Sequence, residues 1–187
     1  MKALSLLSAG LLLLMPLGLT HSVEADPATD LCDRLIQNTR QQAKLRSAQR
    51  YGIFGDEEFD TIICGHLVTR QEKIWDESVN SAYFRISKFA DMQFQAAIAQ
   101  GIQSGNHVNA LRQGQYELNL GCMSSTGIVG QEYNAKVPYL NDRTINALKR
   151  SQNQQPIAVV ISFGKHPGSH CDCCNLAHAV RYYGANN

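Results

Sequence analysis

The stretch Phe59-Asp60-Thr61-Ile62-Ile63-Cys64-Gly65-His66-Leu67 decides the fold class. Phe59, Ile62, Ile63, His66 and Leu67 recur at steps of three and four, the spacing of one helix face. Asp56 precedes them as a cap, and Asp56, Glu57, Glu58 and Asp60 crowd the start, where carboxylates favour the positive end of a helix dipole. Downstream, Trp75, Val79, Ala82, Tyr83, Ile86 and Ala90 extend the stripe, and Phe94, Ala97, Ile98 and Ile102 carry it to Gly105. The pattern predicts one long helix, or two with a bend near Asp91. Upstream, Pro27 to Arg46 starts as a helix with Leu31, Cys32, Leu35 and Ile36 on one face, and Arg40, Lys44, Arg46 and Arg50 make its second half a solvated surface. Val108 to Gln115 is a further short helix candidate.

The C-terminal part changes character. Tyr116-Glu117-Leu118-Asn119-Leu120 alternates as a strand does, although a helix continuing from Leu111 competes, and Ser124 to Gly130 is a loop. Asn141 or Asp142 caps a helix over Arg143 to Arg150. Pro156 to Gly164 is rich in β-branched residues and bounded by Pro and Gly, which predicts a strand. The tail from Cys173 to Tyr183 reads as a last helix with Leu176, Ala179, Val180 and Tyr183 inward. The expected class is α+β: a helical N-terminal half, as a hairpin or small bundle over residues 26–115, then a mixed part with a few strands over 116–187, cross-linked by disulfides.

Residues 1–25 resemble a secretory signal. Lys2 is followed by an almost wholly apolar run to Leu19, and Val23-Glu24-Ala25 offers a small-x-small cleavage site before Asp26. The run is broken by Pro16 and Gly18 and falls short of the ~20 apolar residues a span needs. The expectation is a single mature domain, residues 26–187, periplasmic or secreted, with no integral membrane segment after signal removal. The net charge of +1, with no basic tract, argues against a nucleic-acid partner. Six cysteines lie in that mature part: Cys32, Cys64, Cys122, Cys171, Cys173 and Cys174. An exported chain oxidises its thiols, so all six are disulfide candidates. If each tail cysteine pairs outside its own cluster, the partners are Cys32, Cys64 and Cys122. The rival pattern is two bridges with two free thiols.

Chemistry-bearing groups are few. His166, His170, Cys171, Cys173, Cys174 and His178 gather borderline and soft donors in one segment, and Cys174 and His178 would share a helix face. The spacing matches no zinc knuckle, so metal is an alternative carried by His166, His170, Cys174 and His178, and no cofactor is expected. A thiol hydrolase would need Cys122 or a tail cysteine free and near a histidine. Cys64 and His66 could not meet on a helix, because positions two apart diverge.

One pattern carries a resemblance. Asp76, Val79, Asn80 and Tyr83, within Asp76-Glu77-Ser78-Val79-Asn80-Ser81-Ala82-Tyr83, resemble the Asp-x-x-Leu-Asn-x-x-Tyr signature of the LprI-type lysozyme-inhibitor family of exported bacterial proteins. Leu111, Arg112 and Gln115 are similar to its later Leu-Arg-x-Ala-Gln stretch, with Cys64 before and Cys122 after. The likeness spans residues 64–122. The family's tryptophan and its Arg-Asp pair are missing. The resemblance implies a bacterial envelope protein, a helical hairpin cross-linked through Cys64 and Cys122, and inhibition of a wall hydrolase. The expected function is therefore an exported, disulfide-bonded binding protein acting on a lysozyme or another wall-lytic enzyme. The alternatives are the thiol-dependent hydrolase and a Cys/His metal protein.

Overall fold

The computed structural model describes residues 27–47, 58–74, 76–100, 108–123, 128–129, 139–165 and 175–184. The elements are α1 (Pro27–Gln42), β1 (Phe59–Ile74), β2 (Glu77–Phe89), α2 (Met92–Ala99), β3 (Val108–Ala110), β4 (Tyr116–Met123), β5 (Ile128–Val129), α3 (Asp142–Ser151), β6 (Ile157–Lys165) and β7 (Asn175–Arg181). The strands form one curled antiparallel sheet in the order β3-β4-β2-β1-β6-β7, and β5 pairs with the end of β4.

The helical N-terminal half is not there. Residues 59–89 form the β1–β2 hairpin, paired from Ile63↔Phe89 to Ile74↔Glu77. The periodicity misleads because β1 is buried on both faces. Phe59, Ile63 and Leu67 point to an inner core with the α2 and α3 side chains, whereas Ile62 and Cys64 point to an outer core beneath α1. Two-sided burial erases the alternation of a half-buried strand and leaves a continuous apolar run. The carboxylates Glu58 and Asp60 accordingly mark a strand start rather than a helix start. Asp76 turns the hairpin with φ 66°, a left-handed conformation that Asp tolerates.

Two other helix expectations fail for related reasons. Over 108–115 the chain makes β3 and then a tight 3₁₀ turn at Arg112–Gly114, with Gln113 at φ 64° and Gly114 at φ 70°. The tail forms β7, paired along β6. Its register skips His178 between Ser162↔Ala179 and Phe163↔Ala177. This bulge moves the inward positions from Ala177 to Val180, a step of three that imitates a helix.

Other expectations hold. α1 buries Cys32, Ile36 and Thr39, with Ala43 just after it, and leaves Arg34 and Arg40 exposed. α3 is capped by Asn141, whose side chain accepts the Thr144 N–H. The strands read over Tyr116–Leu120 and Pro156–Gly164 form, with bounds Tyr116–Met123 and Ile157–Lys165. Among the described residues of the long stripe only Met92–Ala99 is helical, capped by Asp91.

The inner core joins both ends of the sheet. Phe94 of α2 packs against Phe59, Phe89 and Phe163, with ring centroids 4.9–6.0 Å apart. Those three rings come from the adjacent central strands β1, β2 and β6, and the same core reaches Val108 of β3 at one edge and Ala177 and Val180 of β7 at the other. Where β1 outruns β6, the Leu67 N–H loses its ladder partner; the buried Ser151 Oγ of α3 accepts it at 3.0 Å. On the outer side, Cys32 of α1 is disulfide-bonded to Cys64 in mid-β1. Cys64 therefore pairs neither with Cys122 nor with the tail. None of the described helices is long and apolar enough to cross a membrane.

Candidate functional site

Polar side chains collect on the outer face, where α1 does not cover the sheet. The first constellation is a plate across β1, β2 and β4. Arg85 and Glu117 are register partners on neighbouring strands. Arg85 donates from Nε at 3.0 Å and Nη2 at 2.8 Å to Glu117 Oε1, and Arg70 Nη2 reaches the same oxygen from β1. The Glu117 side chain is only 2% exposed, against 37% for each arginine. A carboxylate that buried requires such partners. Arg70 also lies 4.9 Å over the Tyr83 ring, and the Tyr83 hydroxyl donates to the Glu72 carboxylate at 2.9 Å. Burial and the Glu72 contact push the Tyr83 phenol up to about 12. Burial and then the neighbouring Arg85 charge hold the nearby His66 imidazole below its ordinary value, partly offset by Glu117.

The second constellation surrounds a hollow of about 330 Å³ between the segment after α1 and the starts and ends of β1, β6 and β7. Arg46 clasps Asp60: Nε donates to Oδ2 at 3.0 Å, Nη2 to Oδ1 at 2.9 Å, and the backbone N–H to Oδ2 at 2.9 Å. Ser162 Oγ donates to Asp60 Oδ1 at 2.6 Å and accepts from Arg181 Nη1 at 2.6 Å. Burial pushes the Asp60 carboxyl up, but the Arg46 and Ser162 hydrogen bonds outweigh it and hold the group below the usual carboxylate range. The Arg46 guanidinium is raised in turn, first by its hydrogen bond to Asp60.

The residues singled out in the sequence are scattered. Asp76 sits at the hairpin tip, while Leu111, Arg112 and Gln115 are exposed in the β3–β4 turn at the opposite end of β2. Val79 and Tyr83 share the outer face of β2; Asn80, one residue off, belongs to the other side. Only Tyr83 joins the plate. On a strand, positions two apart share a face, so Cys64 and His66 point the same way. The Cys64 sulfur is committed to Cys32 and offers no thiolate. Cys122 lies in β4, but its side chain falls outside the described residues, as do His166, His170, Cys171, Cys173 and Cys174. His178 sits at the β7 bulge; because residues 175–178 are extended, no helix face joins it to Cys174. Among the described residues no three His, Cys, Asp or Glu side chains group as a metal site.

Sequence reading missed the arginine partners. It assigned Arg46 to solvent and Asp60 to a helix start, and gave Arg70, Arg85, Glu117 and Arg181 no role. The pairings link residues 14 to 102 positions apart, so no local pattern announces them. No protein-family model matches this chain, and neither a curated protein nor a solved structure is similar to it.

Proposed function

We propose that this chain is an exported, disulfide-stapled binding protein of the periplasm or cell exterior, and that the plate around Tyr83 docks a protein partner. The resemblance noted above makes that partner a lysozyme or another wall-lytic enzyme. The observation that carries the reading is the fixed geometry of the plate. Tyr83, Arg70 and Arg85 are held by one another and by Glu72 and Glu117 on a rigid sheet. Tyrosine and arginine are the side chains that dominate binding hot spots, and holding them in place beforehand lowers the ordering cost of association.

The mechanism is steric. The plate occupies a cleft and nothing is consumed. With two arginines and two glutamates the plate is electrically balanced, so contact and shape, rather than long-range attraction, set affinity.

The test uses the oxidised protein immobilised against lysozymes and exported wall hydrolases, with a parallel lysis assay. The expected result is capture and inhibition of one such enzyme, with affinity reduced tenfold or more, roughly the loss of a hot spot, by Tyr83→Ala. Neither capture nor inhibition across that panel would sink the proposal. Inhibition unaffected by Tyr83→Ala would remove the plate.

A further inference from the structure

The hollow beside Asp60 presents a charge imbalance that the plate does not. Asp60 accepts four hydrogen bonds, three from Arg46 and one from Ser162, which fills the acceptor capacity of a carboxylate. Arg46 is further engaged by Glu58. Arg181 is left with the Ser162 hydroxyl, which spends one of its five N–H donors and neutralises no charge. The direction of the bonds is fixed: the Ser162 proton goes to Asp60, so Ser162 can only accept from Arg181. Lys44, at the rim, makes no ion pair with a described residue. Two cations thus border the hollow with no carboxylate bonded to either among the described residues.

The remaining wall is apolar and aromatic, together with the half-buried His178 imidazole. Val160 forms part of the floor, and Leu45 and Tyr183 flank it. A volume of about 330 Å³ falls at the small end of the ~300–1,000 Å³ usual for ligand sites. Fixed donors beside an apolar wall suit a ligand that is charged at one end and compact and apolar at the other. The Asp60–Ser162 relay orients Arg181 through the hydroxyl and makes no direct ion pair with it.

We infer that this hollow binds a small organic oxyanion, a carboxylate or phosphate on a compact apolar body, with the anion on Arg181 and Lys44 and the body against Leu45, Val160 and Tyr183. The site is separate from the plate and stands whether or not the plate binds a protein.

The probes are benzoate and phenyl phosphate, with benzamide as the uncharged shape control. Calorimetry and ligand-observed NMR on the oxidised full chain read the affinity. Binding of either anion without binding of benzamide is expected, and the tighter anion identifies the headgroup. Arg181→Gln should weaken that binding by about tenfold or more, the loss of a charge-assisted hydrogen bond. Lys44→Gln, which breaks no ion pair with a described residue, should weaken it about threefold, as for a partly screened charge. Benzamide binding as tightly as benzoate would overturn the inference. So would failure of both anions to bind, or full affinity in both variants.

Discussion

Gly65 shows how one missing methyl can shape a sheet. It sits in β1 where the β2 register jumps from Lys88 to Ile86, leaving Ser87 as the extra residue of a bulge. A Cβ on Gly65 would stand 1.9 Å from the Arg85 carbonyl oxygen and 3.0 Å from the Phe84 ring. The obstacle is backbone, which cannot swing aside as a flexible side chain would. Gly65→Ala should therefore destabilise the fold by about 1–3 kcal/mol, the usual cost of overpacking, and denaturant unfolding measures it. An unchanged midpoint would mean that the bulge yields freely. Asp60 makes a prediction of a different kind. Its carboxyl is held below the usual carboxylate range, so the folded state binds its proton less readily than the unfolded chain. That contribution to stability is fully present above the unfolded value, about 3.9, and disappears as pH falls through the lower folded value. Asp60→Asn should lower stability at neutral pH and flatten the loss of stability below about pH 4. A variant with the wild-type acid slope would assign that slope to other carboxylates.

Among the elements, α1 depends most on a single covalent bond. A helix of 16 residues is marginal alone, and α1 rests on the sheet through Cys32, Ile36 and Thr39, followed by Ala43 just past its end. The disulfide closes a sequence separation of 32 residues, for which chain entropy suggests about 3–4 kcal/mol. Cys32→Ala should lower the unfolding free energy by about that much, and reductant should then have little further effect through this bridge. Stability equal to that of the oxidised protein would show that packing alone seats α1. Legibility in the sequence followed the same divide between local and distant causes. α3 could be read because Asn141 and Thr144 form a local cap, and β6 because Pro156 and a β-branched run bound it. The β1–β2 hairpin could not, because Ile62 and Ile63 are both buried, on opposite faces, and together they mimic one helical face. β7 was lost to the bulge at His178. Of the candidate sites only Tyr83 stood out, and on the wrong element; Asp60, Ser162 and Arg181 meet only after β1, β6 and β7 have paired.

The molecule as a whole is one sheet with two separate cores, and this arrangement sets how it should open. The inner core draws on α2, α3 and six strands, and no α1 residue belongs to it. The outer core is smaller and consists of α1 against Ile62, Cys64, Ala158 and Val160. β1 contributes to both and has β2 and β6 as neighbours, so opening it disrupts the whole assembly. α1 can leave while the inner core survives, provided the Cys32–Cys64 bond is cut. Local opening of this kind appears in native-state hydrogen exchange as groups of amides with distinct free energies. In the oxidised protein the slowest amides should be those of β1 and β6 around Ile62, Ile63, Val159 and Val160, buried between paired strands. After reduction the α1 amides from Cys32 to Thr39 should exchange faster by about tenfold or more, since a loss of 1.4 kcal/mol already gives that factor and the bridge is worth more. The β1 and β6 amides, which exchange through global unfolding, should quicken as the bridge's contribution is lost but should remain slower than those of α1, because their inner partners are unchanged. Convergence of α1 and β1 on one common rate after reduction would contradict the two-core description, and would mean that α1 is an integral part of the sheet's global unfolding unit.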